Sequence, residues 1–347
     1  MTSSATRHER DTNPDDFTSA RPPASGHVTV LLHEAVRALN PASGGAYVDA
    51  TFGGGGHTSM LLDQEPPVGR VIGIDADLAA VERASSIGRN PRYAGRFSLA
   101  QTNFRNLKRV VEEAGLESVD GVLFDLGVSS YQFDEGERGF SFRFDAPLDM
   151  RFDQSQGRTA ADIVNHADQR ELADIIWRFG EERKSRQIAA RIVRERETAP
   201  ILTTGALMEV VERAVGGRRG APIHPATRTF QALRIEVNHE LEALSEALSQ
   251  AVDVLAPGGR LVVISFHSLE DRIVKRFIED AARTCVCPPD QPICTCDTVP
   301  VLRRIGKPVR PDQAEIDLNP RSRSAIMRVA ERLDAAGDVA ATQGINP

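Results

Sequence analysis

The first part of the chain alternates short apolar runs with helical patterns. The runs are "AYVDAT" (46–51), "RVIGID" (70–75), "RFSLAQ" (96–101) and "VDGVLFDLG" (119–127). Each is short, apolar and bounded by turn residues, which predicts buried strands. "HTSMLLDQ" and "DLAAVERASSI" lie between them and read as helices. Strands alternating with helices predict an α/β fold with a doubly wound, mostly parallel sheet. From about Asp134 to Pro222 no further buried strand is legible. Ile175, Ile176 and Phe179, then Ile188, Ile192 and Val193, recur at helical spacing. A long helix is expected from about Thr227 to Leu255. It stops at "APGG", a turn signal, and leads into a strand "RLVVISF" (260–266). "SAIMRVAERL" reads as a last strand. The expected organisation is a disordered tail (1–26), the first part of an α/β core (27–133), an inserted all-helical domain (134–222), the second part of the core (223–333) and a flexible tail (334–347).

Composition narrows the class. The 347 residues are 41% hydrophobic and 26% charged, as in an ordinary globular protein. No apolar run reaches the roughly 18 residues that a membrane helix needs. The polar N-terminal stretch has no apolar segment of signal-peptide type, so a cytoplasmic location is expected. The net charge of −7, from 42 basic and 49 acidic residues, excludes a uniformly basic nucleic-acid coat. Local basic surfaces are compatible with it. "RFGEERKSR", "RRIGKPVRP" and "NPRSRS" are candidates for RNA contact, or are simply solvated faces.

The glycine run in "YVDATFGGGGHTSML" carries candidate chemistry. A phosphate-binding P-loop needs Lys and Ser or Thr after its glycines, and here His57 and Thr58 follow Gly56. The dinucleotide fingerprint G-x-G-x-x-G is met by Gly53 and Gly55 but not at Thr58. The loop of S-adenosylmethionine-dependent methyltransferases has an acidic residue ending strand one, then glycines at alternate positions. Asp49-x-Thr51-x-Gly53-x-Gly55 fits it, with Thr51 in place of the first glycine. A tight turn holding no ligand fits the same residues. Asp75 ends the second strand 22 residues beyond Gly53, where a carboxylate accepts both hydroxyls of a ribose. NAD and S-adenosylmethionine both have such a ribose. Asp77 is better placed to cap the next helix. Asp125 ends the fourth strand, and open α/β sheets bind ligands at the carboxyl ends of their strands. Gly55, Gly56, Asp75 and Asp125 are thus expected around one pocket. Phe104, just after strand three, is placed to pack on an adenine face or into the core.

Longer stretches narrow this further. "HVTVLLHEAV", "YVDATFGGGGHT", "VDGVLFDLGVSSYQFDEGERGFSFRFDAPLDMR", "IHPATRTFQALRIEVNHELEAL", "LAPGGRLVVISFHSLEDRIVKRF" and "NPRSRSAIMRVAER" together resemble the MraW/RsmH family of bacterial 16S rRNA cytosine-N4 methyltransferases. The resemblance runs from about His27 to Leu333 and is weakest across the inserted helices. It implies a class I methyltransferase fold, Rossmann-like, with an inserted helical domain. It implies S-adenosylmethionine as donor and a decoding-centre cytosine of 16S rRNA in the 30S subunit as acceptor, with no DNA or membrane partner. It places cofactor contacts at Gly55, Gly56, His57, Asp75, Phe104, Asp125 and Gln132. Tyr131 stands where some members have proline, and Gly54 where others carry a side chain.

Two further expectations concern chemistry. The exocyclic amine of cytosine is a poor nucleophile because its lone pair is delocalised, so the enzyme must supply an acceptor for its hydrogens. Asp125, or the backbone carbonyl beside it, is the catalytic candidate, with the Ser129–Gln132 segment or His267 of "SFHSLEDR" next. DNA amino-methyltransferases follow an Asp, Asn or Ser with Pro-Pro-aromatic at this place. Here Asp125-Leu126-Gly127 is followed by Ser129-Ser130-Tyr131. The four cysteines form "CVCPPDQPICTC". Cys285, Cys287, Cys294 and Cys296 are either a structural zinc set or reduced thiols in a proline-rich loop. No cysteine falls in the presumed catalytic core, as suits transfer to an exocyclic nitrogen. The resemblance implies no catalytic metal.

Overall fold

The computed structural model describes residues 29–127, 138–217, 224–288, 291, 293 and 295–334. Seven strands form one sheet: β1 (Ala46–Asp49), β2 (Arg70–Asp75), β3 (Phe97–Gln101), β4 (Val119–Asp125), β5 (Leu255–Ser265), β6 (Leu302–Val309) and β7 (Ile326–Arg332). Their order is β3-β2-β1-β4-β5-β7-β6. The first five run parallel, and β7 and then β6 add antiparallel. The strands read as continuous apolar runs because both faces of the sheet are covered. Along β4, Val122 and Phe124 enter one apolar cluster and Leu123 the opposite one, as period-two alternation requires. Leu261 and Val263 of β5 alternate with Val262 and Ile264 in the same way.

Helices cover each face. α1 (Leu32–Leu39) and α2 (Gly56–Leu62) pack on the Leu123 side through Val36, Leu39, Leu61 and Leu62. α3 (Leu78–Gly88) follows β2, and Ala80 and Ala84 pack with Phe52 in a small satellite cluster. α4 (Leu107–Glu113) lies on the other face through Leu107, Val110 and Val111.

Among the described residues β4 is followed by α5 (Ala160–His166), α6 (Gln169–Gly180), α7 (Ser185–Arg196) and α8 (Thr204–Val215). With α9 (Ala226–Asn238) they enclose a separate apolar cluster that includes Ile176, Ile188, Ile192, Leu207 and Leu233. The chain therefore has an apolar centre with no strand in it, beside the sheet and not beneath it. Side-chain caps start α5, α6 and α8, but not α7 or α9. Thr159 and Asp162 form a reciprocal capping box on α5, and Asp168 accepts the Glu171 N–H on α6.

The long helix expected over 227–255 is two helices. α10 (Glu240–Val254) begins after His239, which sits in the left-handed region at φ 50°. No glycine or proline marks this break. It is held by Asn238, whose side chain donates to the Met150 carbonyl (2.8 Å) and accepts the Phe152 N–H (2.7 Å). Arg234 and Glu240 also pair across it, at 2.7 and 2.8 Å. After β5 comes α11 (Ser268–Ala281), and α12 (Gln313–Leu318) precedes β7. The last strand falls where the sequence indicates. β6 was not foreseen as a strand: "RRIGKPVRP" reads as a basic patch. It is an edge strand whose Lys307 and Pro308 suit an edge position.

The helical cluster gives a stability test. Ile188 is fully buried in it. Ile188→Ala should cost about 2–5 kcal/mol in urea unfolding. A loss under about 1 kcal/mol would mean that the site collapses around the deletion.

Candidate active site

The carboxyl ends of β1, β2 and β4 meet at the glycine loop. Asp49, at the end of β1, is 1% exposed. It accepts the Thr58 hydroxyl at 2.8 Å and the Thr51 N–H at 3.4 Å. Burial pushes its pKa from 3.8 up to about 6, against the effect of these donors. Thr51, the residue in place of the expected first glycine, uses its hydroxyl to accept the Asp125 N–H at 2.6 Å. A glycine there would leave that strand end unheld.

Gly53 and Gly55 both have positive φ, 51° and 78°. The Gly53 N–H donates to Asp75 Oδ2 at 2.8 Å, and its carbonyl accepts from Arg83 Nε at 2.8 Å. A Cβ on Gly55 would fall 2.5 Å from Ile87 Cδ1 and 2.8 Å from Phe52 Cζ. Gly55 therefore shapes the turn and lies outside the cavity lining, whereas Gly53, Gly54 and Gly56 line it. At Gly56 a Cβ would lie 2.0 Å from Thr29 Oγ1, so a bare backbone is required at that wall.

Asp75 is half-buried, and each of its oxygens accepts one backbone N–H at 2.8 Å, from Gly53 and from Asp77. A carboxylate oxygen has a second lone pair, so each can take one donor more. Burial, foremost, raises its pKa from 3.8 to about 6. Asp77 caps α3 by accepting the Ala79 N–H at 3.0 Å, as expected, and also pairs with Arg138. Phe104 has the core contact expected of it and also faces the cavity. It meets Phe124 edge-on, with centroids 5.8 Å apart.

Asp125 ends β4. Its Oδ2 lies 3.8 Å from His57 Nδ1. Its Oδ1 is buried with no hydrogen-bond partner among the described residues. Burial, and then the charges of Asp49, Glu270 and Glu315, raise its pKa well above the usual carboxylate range. His57 is itself buried, in the first turn of α2. Gln132 lies outside the described residues, as does Cys294.

These groups open on one cavity of about 540 Å³, ample for a nucleoside-sized ligand. Its floor holds Gly53, Gly54, Gly56, His57, Asp75 and Asp125. Phe140, Phe142, Phe230 and Gln231 face it from the helical side, and Phe266, His267, Arg321 and Arg323 from the end of β5 and the turn before β7. Sequence reasoning gave no site role to the aromatic wall or to Arg234, Glu240 and Glu270. Arg234 and Glu240 flank the break at His239, which no glycine or proline announces. Burial alone would raise the Glu270 pKa, but His267 and Arg234 outweigh it and hold this carboxylate below its usual range. His267, named above as a fallback catalyst, is the N-cap of α11 in a capping box with Glu270. Its Nε2 lies 3.0 Å from a Glu270 oxygen, so its ring serves the fold as well as the cavity wall. Of the three basic stretches, only "NPRSRS" reaches the cavity, through Arg321 and Arg323.

The donor set suits an adenosyl ligand with a cationic centre. Asp75 has acceptor capacity for a diol, Phe104 offers an aromatic face, and Asp125 presents a desolvated carboxylate that a positive charge would stabilise.

Asp49 yields a pH test. Its folded pKa of about 6 exceeds the ordinary 3.8, so it adds stability below pH 4 that is lost as pH rises through 6. Asp49→Asn has no such loss. Relative to the parent chain, the variant should gain about 2 kcal/mol on going from pH 4 to pH 7.5 in urea unfolding. An equal offset at both pH values would mean that Asp49 is not strained by ionisation.

Comparison with known proteins agrees with this geometry. The model of the MraW methylase family matches residues 24–333. The chain is 52% identical to ribosomal RNA small subunit methyltransferase H of Brevibacillus brevis over 310 residues, 88% of this chain and 98% of that protein. It is 53% identical to the protein of the same name from Thermomicrobium roseum over 313 residues, 90% of this chain and 95% of that one. A match that takes in the glycine loop, the helical cluster and the last strand is a match to the whole described structure, and the chain belongs to the MraW methylase family, as an S-adenosylmethionine-dependent methyltransferase.

Proposed function

We propose that the protein methylates the exocyclic N4 of a decoding-centre cytosine in 16S rRNA, within the 30S subunit. The relatives named above carry the ribosomal substrate in their names. The observation that carries the chemistry is the unpartnered oxygen of Asp125 at the cavity floor. When bound, S-adenosylmethionine supplies a sulfonium methyl group open to displacement. Asp75 would hold its ribose hydroxyls and Phe104 would lie against its adenine. The free oxygen of Asp125 would accept an N4 hydrogen as N4 bonds to the methyl carbon and the methyl–sulfur bond breaks, the thioether S-adenosylhomocysteine being the leaving group. The excess proton would pass from N4 to the Asp125 carboxylate and on to solvent. Phe140, Phe142 and Phe230 form the opposing wall, where an extruded base stacks. Arg321 and Arg323 are positioned for the flanking phosphates. The ionised carboxylate is costly in this desolvated floor, which favours a cationic donor beside it.

A second reading gives Asp125 only a donor-binding role, because its Oδ2 also faces His57.

Radiolabelled methyl transfer to isolated 30S subunits, naked 16S rRNA and DNA tests the substrate. Label should enter the 30S subunit at a single cytosine, and equal labelling of DNA would overturn the reading. In the same assay Asp125→Asn separates the two roles. If Asp125 orients the amine, single-turnover methylation at saturating donor should be at least about 100-fold slower. If it binds only the donor, saturation should restore the rate. Asp75→Ala should weaken S-adenosylmethionine binding about 10- to 150-fold, the loss of a charge-assisted hydrogen bond. Unchanged binding by titration calorimetry would remove Asp75 from the donor site.

A further inference from the structure

We propose that the connection between α11 and β6 is a structural zinc site built on the thiolates of Cys285, Cys287 and Cys296. The three sulfurs lie within 4.8 Å of one another, and those of Cys285 and Cys296 are 3.7 Å apart. A tetrahedral zinc with bonds of about 2.3 Å sets its sulfurs about 3.8 Å apart. A disulfide would close them to about 2.05 Å. The separation excludes a disulfide and matches ligands sharing one cation, though a thiol–thiol hydrogen bond has the same length.

The backbone is arranged for charged sulfur. The Val286 N–H points at Cys296 Sγ and the Cys287 N–H at Cys285 Sγ, both at 3.4 Å. Such donors stabilise a thiolate and orient it, as outer-shell groups do around a metal. Nothing apolar accounts for the convergence. Val286, Ile293 and Val299 are 59%, 74% and 54% exposed. The described residues from Ala282 to Pro300 include no helix or strand. Long connections with little secondary structure are uncommon in compact domains. A metal cross-link is one way a segment with little core of its own keeps one shape.

The base of the loop is closed where the Val301 N–H donates to the Ala281 carbonyl at 2.8 Å. The site would thus brace a loop whose exit is the basic edge strand β6, with Arg303, Arg304 and Lys307. None of the three cysteines lines the cavity, so the metal's part is architectural. A structural zinc takes four ligands. The sequence offers Cys294 as a further thiol, and it lies outside the described residues.

The test uses the full chain, purified without chelator and without a polyhistidine tag. Elemental analysis should find about one equivalent of zinc. Thiol titration in denaturant should read all four cysteines as reduced. Cobalt(II) added to metal-stripped protein should give the ligand-field bands of a tetrahedral thiolate site. Cys285→Ser and Cys296→Ser should each lower the zinc content at least about tenfold. The metal content and cobalt spectrum of the parent chain need no variant, so a variant that misfolds leaves the proposal open to refutation. Less than about a tenth of an equivalent of zinc in the parent chain with its thiols reduced would overturn it. So would disulfides in place of thiols, or parental zinc levels in both variants.

Discussion

The structure depends on a set of hydrogen bonds that tie three strand ends to one loop. Thr51 Oγ1 holds the Asp125 N–H, Asp49 holds the Thr58 hydroxyl, and Asp75 holds the Gly53 N–H. β1, β2 and β4 are neighbours in the sheet, but sheet pairing stops where the strands stop. Beyond that point these side chains set the spacing of the carboxylates. The glycines only let the backbone follow them.

This arrangement opposes stability. Three aspartates are gathered around one turn, and burial raises the pKa of each. A fold selected for stability alone would replace such groups with apolar ones. Their cost is reasonable if a polar, cationic ligand uses them, since perturbed carboxylates in a cleft are the usual sign of a working site. Glu270 is the contrast. It is as deeply buried, but His267 and Arg234 compensate it and it is held below its usual range. The cavity therefore has a compensated carboxylate on one side and an uncompensated one, Asp125, on the other.

Much of this was legible in the sequence because it is local. The strands of the parallel sheet are short apolar runs, and their ends are marked by acidic residues that hydrogen-bond the loop beside them. Asp75, Asp125 and Phe104 could be placed at the cavity from strand-end logic alone. Gly55 could not, because spacing does not say whether a glycine in a run faces a ligand or a neighbouring Phe52. The break at His239 was illegible for a different reason. It is imposed by Asn238 reaching Met150 and Phe152, residues about 90 positions earlier in the chain. The Arg234–Glu240 pair spans that break, so it was hidden with it. β6 was hidden because charge and proline mask an edge strand's weak alternation.

The strand order has a consequence for how the protein is made. β7 is the last strand in the chain but not the outermost in the sheet, since it sits between β5 and β6. During synthesis β6 emerges with nothing to pair to, and β5 keeps an open edge until β7 arrives. Arg321 and Arg323, which finish the cavity rim, emerge just before β7. The nascent chain therefore carries this unsatisfied strand edge from the completion of β5 at Ser265 until β7 begins at Ile326. A ribosome that stalls before the last strand releases a protein with most of its helices, no completed rim and a surface ready to pair with another chain.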